Sequence, residues 1–309
     1  LDDHVPFGAC HHQKVLVIDD ALAFCGGGDI SVDRWDTAGH LEHDPRRIMP
    51  DQHHHAPRHE VMMMVDGEAA QALGDLARER WRRATGQVLP VPESVPPEDP
   101  WPAHIPAHLQ DIDISIQRTE PEWDGRPGVT EIRKLMIASV LEARSTVYLE
   151  NQYFTSPLIV EAIAKRLSEP DGPEVVLIST GQSPSWFDQL TMDRARSNML
   201  WRLRAADVFG RFRAWYPTTP AGTKIIVHSK VTVIDDSLAR IGSANINNRS
   251  GGFDTEVEIA VEAGTETQEL CIAALRDRLV GHFLGHTGDA VAKARKERGG
   301  LIPAITSGA

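Results

Sequence analysis

The chain has 309 residues, with 32 Lys+Arg against 44 Asp+Glu and a formal net charge of −12. Its length suits about two domains, and 41% hydrophobic with 25% charged residues is a globular composition, which excludes a disordered chain. The acidic balance argues against gripping nucleic acid by bulk charge, since phosphate binding draws on clustered Lys and Arg; a small basic pocket inside an acidic shell remains open. Cys10, Cys25 and Cys271 are too few and too scattered for a disulfide framework or a CxxC metal site. No apolar run approaches the ~18 residues that span a bilayer. The start, Leu1-Asp2-Asp3-His4, lacks an initiator Met and the basic and apolar stretches of a signal peptide. The expectation is a soluble or peripheral protein, cytoplasmic on the chain as given.

In chain order, Lys14–Ile18 reads as the first strand. Leu41–Arg58 follows as a loop rich in His, Pro and charge, then a strand at Val61–Val65 and a helix at Glu68–Arg83. Pro90–Pro106 holds seven prolines in seventeen residues, which breaks both helix and central strand and marks a lobe boundary. Beyond it come a helix at Thr130–Ala143, a strand at Thr146–Glu150, a helix at Pro157–Leu167 and a strand at Glu174–Ser179. Lys224–Val227, Lys230–Ile234 and Glu256–Val261 read as further strands, and Gln268–Leu284 as a helix. Val291–Arg298 reads as a basic, solvated helix end. Such alternation is the pattern of a parallel α/β sheet. The expected organisation is a first lobe over 1–90, a linker over 91–110, a second lobe over 111–290 and a tail over 291–309.

An internal repeat carries the functional signal. His12-Gln13-Lys14-Val15-Leu16-Val17-Ile18-Asp19 matches His228-Ser229-Lys230-Val231-Thr232-Val233-Ile234-Asp235. At the same offset Gly26-Gly27-Gly28-Asp29 falls on Gly242-Ser243-Ala244-Asn245, and further on His59-Glu60-Val61 parallels Thr255-Glu256-Val257. The first copy carries about twenty extra residues in its Val32–Arg58 loop. His and Lys two apart on an extended chain share a side, and the less regular residues after them suit a central strand covered on both faces. Two copies about a pseudo-two-fold axis would gather two imidazoles, two ammonium groups and Asn245. That set suits a phosphodiester: lysines offset the oxygen charge, the amide donates, and the imidazoles attack and move protons.

The paired H-x-K-x₄-D motifs resemble the phospholipase D superfamily. Gly26–Asp29, Arg34-Trp35-Asp36, Glu150-Asn151-Gln152-Tyr153-Phe154 and Gly242–Ser250 resemble its phospholipid-cleaving branch more than its nucleases. The resemblance implies two pseudo-repeated lobes, each a mixed, mostly parallel sheet flanked by helices, with the active site between them. It implies a metal-independent, two-step displacement with no cofactor, in which His12 attacks phosphorus and His228 serves as acid and base. Lys14, Lys230 and Asn245 would hold the phosphate, with Gln152 and Tyr153 on the pocket wall, and Glu60 and Glu256 would orient the imidazoles. The substrate would be a phospholipid met at a membrane or micelle surface. A cardiolipin-synthase-like phosphatidyltransferase and a nucleic-acid phosphodiesterase are the rivals within the family; a non-enzymatic binding module is the rival outside it.

Plainer readings stand beside these. Asp19 and Asp235 end strands, where an Asp commonly binds turn amides. Asp29, where the second copy has Asn245, would place an anion beside the phosphate unless it is paired. His53-His54-His55, with His40, His43 and His59, reads as a solvated loop or pocket rim rather than a metal site. Trp35, Trp186, Phe187, Trp215 and Tyr216 read as packing residues, with the Trp186-Phe187 pair open to a lipid-contact reading. Copy two is preceded by a long α/β stretch, whereas copy one has eleven residues before His12. That asymmetry sets the expectation of a first lobe lacking its N-terminal part, completed by a missing segment or a partner chain.

Overall fold

The computed structural model describes residues 2–92, 100–183, 186 and 189–308. Strand β1 (Val15–Ile18) turns through Asp19 and Asp20, both at positive φ, into β2 (Leu22–Gly26). After the short β3 (Arg58–His59), β4 (Met62–Asp66) completes a three-stranded antiparallel sheet in the order β1-β2-β4. Helix α1 (Gly67–Thr85) covers it with Ala70 and Leu73. Gly74 lets that helix cross the β1–β2 turn, where a Cβ would lie 2.0 Å from the Asp20 carboxylate that holds Arg78 at 2.7 Å.

The second half opens with β5 (Ile114–Glu120), β6 (Val129–Thr130), α2 (Glu131–Glu142) and β7 (Thr146–Asn151). It continues through α3 (Pro157–Ser168), β8 (Glu174–Ile178), α4 (Arg194–Ala206) and β9 (Phe212–Trp215). The short β10 (Ile226–Val227) precedes β11 (Lys230–Ile234), β12 (Leu238–Gly242) and β13 (Glu256–Glu262). Three helices close the chain: α5 (Glu266–Leu284), α6 (Gly288–Arg298) and α7 (Leu301–Thr306). Eight strands form one mixed sheet in the order β6-β5-β13-β12-β11-β7-β8-β9. Helices pack on both faces, so β7 is buried at every residue: Val147 and Leu149 join the core under α2, α3 and α4, and Tyr148 the core under α5 and α6.

Several expectations change. The sheet is α/β and mixed, but it is not mostly parallel: among the described residues β7–β8 and β8–β9 are parallel, against five antiparallel pairings. Parallel neighbours need a crossover, which only α3 and α4 supply here, whereas β11 and β12 are joined by a tight turn. The first motif strand is not central. β1 lies at an edge, with Leu16 and Ile18 40% and 46% exposed. Lys224–Val227 narrows to the two residues of β10, and β2, β5, β9, β12 and α4 were not foreseen. The described part of the expected tail, residues 291–308, packs on the protein, because Val291, Leu301 and Ile302 are buried in the core. The small sheet is not self-contained either: Ala23, Cys25, Val65 and Leu73 pack against Val257 and Ile259 of β13.

Candidate active site

Both histidines stand just before their motif strands, on segments that pair across the pseudo-two-fold. The His12 N–H donates to the Thr255 carbonyl at 3.0 Å, and the Thr255 N–H to that of Cys10 at 3.0 Å. In the second copy β10 runs parallel to β3, and the His228 N–H donates to the His59 carbonyl at 2.9 Å. Each motif therefore lies beside the residue that precedes the other copy's carboxylate. The pairs are crossed as a result: His12 Nδ1 meets Glu256 Oε2 at 2.9 Å, and His228 Nδ1 meets Glu60 Oε2 at 2.6 Å. A carboxylate on Nδ1 fixes the tautomer and leaves Nε2 for chemistry.

The lysines lie lower. Lys14 Nζ donates to the His12 carbonyl at 2.9 Å, Lys230 Nζ donates to that of His228, and Lys230 is 2% exposed. An ammonium has three N–H groups, so each keeps donors beyond that anchor. Asp29 is paired: Lys14 lies 3.3 Å and Arg34 3.7 Å from its carboxylate. Asn245 is buried at the cleft floor with no hydrogen-bond partner for Oδ1 among the described residues. Asp235 takes the backbone N–H groups of Arg144, Ser145 and Thr146, which is the turn-binding role. Asp19 sits in the matching turn at φ 51°.

His12, His228 and Asn245 face a cleft of about 810 Å³, with Gln152, Tyr153, Arg34 and Arg58 on its walls. The Glu150–Phe154 segment divides its labour. Phe154 is core, Asn151 accepts the Ile246 N–H at 2.9 Å, and Glu150 is fully buried under the Tyr148 and Ser229 hydroxyls and His59. Burial, followed by Lys230, Arg58, Arg34 and Lys14, pushes the His228 imidazolium well below its ordinary range. Burial also lowers Lys230 to about 8, although Glu60 opposes it, and raises the Glu60 carboxyl against Lys230. His12 and His228 thus share a cleft with Arg34, Arg58 and Lys224, set against Asp29 and Asp33.

Residues 136–273 match the family described as "Cardiolipin synthase, PLD-like domain". Phospholipase D1 of Saccharomyces cerevisiae is 23% identical over 337 residues, covering 81% of this chain and 20% of that protein. Cardiolipin synthase of Geobacillus thermodenitrificans is 24% identical over 277 residues, covering 86% of this chain and 46% of that protein. These matches make the chain similar to members of the phospholipase D superfamily. Its fold is shared with the crystal structure of phosphatidylserine synthase from Haemophilus influenzae Rd KW20, at a TM-score of 0.57 and 14% identity over 96% of this chain and 70% of that one. The chain spans 20% and 46% of the lengths of those two curated relatives.

Of the residues singled out from sequence, His12, His228, Asn245, Asp29, Gln152 and Tyr153 line one cleft, Glu256, Glu60, Lys14 and Lys230 are hydrogen-bonded to the two histidines, and Asp19 and Asp235 lie in turns. Sequence reasoning assigned no role to Arg58, whose buried guanidinium lines the cleft with Nε and Nη1 unpartnered among the described residues. Its place just before His59-Glu60, opposite Asp254 in the other copy, was the available signal. The aromatic expectations divide: Trp186 is 72% and Tyr216 54% exposed, while Phe187 lies outside the described residues. No helix among the described residues is long and apolar enough to cross a membrane.

Proposed function

We propose that this chain cleaves phospholipids at the head-group phosphodiester through a phosphohistidine. The observation that carries this reading is the pair of crossed His–carboxylate contacts on one cleft, with a lysine under each histidine. His12 Nε2 attacks phosphorus and the P–O bond to the head-group alcohol breaks. His228 Nε2–H gives its proton to the departing oxygen. His228, now neutral, takes a proton from water or an acceptor alcohol; that oxygen attacks phosphorus, the P–N bond breaks, and His12 is restored. Glu256 and Glu60 hold the rings, and the ammonium groups of Lys14 and Lys230, with Asn245, offset the charge on the non-bridging oxygens. Arg58 adds a cation to the cleft wall, beside Gln152 and Tyr153.

One observation favours the reverse assignment of the two histidines. His228 is held neutral by burial and four cations, with Glu60 taking its Nδ1–H, which leaves an unprotonated Nε2 as a nucleophile requires. Two names favour a phosphatidyltransferase reading, since the matched family and a relative are both called cardiolipin synthase. Phosphatidylcholine vesicles carrying labelled choline, with and without a primary alcohol, test the proposal. Choline release with phosphatidic acid, diverted to a phosphatidyl-alcohol when alcohol is present, is expected. Release of no head group from phosphatidylcholine, together with conversion of phosphatidylglycerol to cardiolipin, would replace hydrolysis by the transferase reading.

A further inference from the structure

The Val32–Arg58 loop of the first copy is about twenty residues longer than its counterpart in the second, and it is unusually rich in histidine. The structure sorts these residues into two sets. His43, His53 and His54 are exposed. His40 and His59 are buried, and they meet His282 near the end of α5. His40 Nε2 lies 3.0 Å from His282 Nε2, and one ring nitrogen from each of the three lies within 4.8 Å of the others. Two nitrogens bound at ~2.0–2.1 Å on a tetrahedral ion are about 3.3 Å apart. The His40–His282 separation is near that value, and a small inward movement of His59 would complete the triangle.

The outer nitrogens are already committed. Asp36 takes Nδ1 of His40 at 2.8 Å and is itself held by the Arg58 N–H at 2.8 Å. Glu150 takes Nε2 of His59 at 2.8 Å and is held by the Tyr148 and Ser229 hydroxyls. A carboxylate behind a histidine, itself anchored, is how metal-ligating imidazoles are oriented and made more basic. A simple chain of imidazole hydrogen bonds would need one anchored ring; two rings independently backed by buried carboxylates exceed that need.

We propose that His40, His59 and His282 form a binding site for a divalent transition-metal ion of the zinc type, with water completing its coordination. An all-imidazole set suits Zn²⁺, Co²⁺ and Ni²⁺ rather than the oxygen-seeking Mg²⁺ or Ca²⁺. This departs from the expectation that the histidine-rich loop is merely solvated and that the chain carries no metal. The ion would fasten the loop of the first copy and β3 to α5 of the second. Its effect on the active site would be indirect: the His59 carbonyl receives the His228 N–H, and the next residue is Glu60.

The test uses the full chain, stripped with a chelator, dialysed and titrated with Zn²⁺ or Co²⁺, and its readout is independent of turnover. One equivalent of Zn²⁺ per chain is expected, with the visible bands of tetrahedral Co²⁺ and a higher melting temperature for the loaded protein. His40→Ala and His282→Ala should each abolish stoichiometric uptake. Asp36→Asn should weaken it about 10–100-fold, and the exposed double variant His53→Ala/His54→Ala should bind like the unaltered chain. Failure of the unaltered chain to take up a stoichiometric ion overturns the proposal without recourse to any variant. Undiminished uptake by both His40→Ala and His282→Ala, or its loss in the exposed double variant, overturns it equally.

Discussion

β1 and β11 carry the same motif in unlike surroundings. β11 lies in the middle of an eight-stranded sheet, buried at every residue, whereas β1 is the edge of a three-stranded sheet and leaves Leu16 and Ile18 open. Both nevertheless place His and Lys in the same way, each lysine on the carbonyl of its own histidine. What the copies share is the short parallel contact just before each strand, His11 with Thr255 and Ile226 with Arg58. The chemistry is therefore set by the chain entering the strand, and the sheet behind it is free to differ.

The two crossed pairs are also unequal. His12 is 25% exposed over a fully buried Glu256, while His228 is 8% exposed and its partner Glu60 19%. Glu256 takes the Ser243 hydroxyl at 2.5 Å as well as His12. The matching residue in the first copy is Gly27, where a Cβ would lie 2.5 Å from Glu60. Two imidazoles with different exposure and different carboxylate support are suited to different tasks.

Substituting each copy in turn breaks or sharpens that contrast. His12→Ala and His228→Ala should each lower kcat by roughly 10⁴-fold or more on phosphatidylcholine, because each ring is needed for turnover. A p-nitrophenyl phosphodiester, whose leaving group needs no proton, should give His228→Ala a stoichiometric burst of p-nitrophenolate, the second step still lacking its base, and leave His12→Ala without a burst; a burst in the opposite sense would exchange the two roles. Glu256→Gln and Glu60→Gln should each cost roughly 10²–10⁴-fold, since the imidazole loses the partner that fixes its tautomer. The activated substrate should recover the p-nitrophenolate burst of Glu60→Gln more than that of Glu256→Gln, which pre-steady-state traces of the two variants would reveal.

Smaller effects follow from the cations. Lys230 loses its charge as pH rises through about 8, so the basic limb of the kcat/KM profile should fall near that pH. Lys230→Arg should move the limb upward, because a guanidinium stays charged there; an unmoved limb would remove Lys230 from the phosphate-holding role. The sign for stability is opposite. The folded ammonium gives up its proton before the unfolded one does, so its burial cost is full below pH 8 and eases above it. Asn245→Asp, which adds an anion with no paired cation, should lower kcat/KM about 10–100-fold. Asp29→Asn should change it only a few-fold, because Asp29 already lies beside Lys14 and Arg34.

The residues of the cleft were legible because the repeat preserves their identities and spacing. Which carboxylate serves which histidine was not, since the crossing depends on a contact between His11 and Thr255 that leaves no mark on either segment. Strand direction was hidden for a related reason: a strand covered on both faces shows an apolar run whichever way its neighbours point. β3 and β10, two residues each, are too short for any period to show. His282 stood alone on a helix, and only the fold brings it to His40 and His59.

The central claim is a covalent displacement at one shared cleft, and rapid quenching with phosphatidyl-labelled substrate tests it most directly. Peptide mapping under alkaline conditions, which preserve phosphohistidine, should find a stoichiometric, acid-labile label on His12. It should accumulate when His228 is replaced and an activated leaving group is used. Turnover of the unaltered chain with no labelled histidine, at His12 or at His228, would contradict the account.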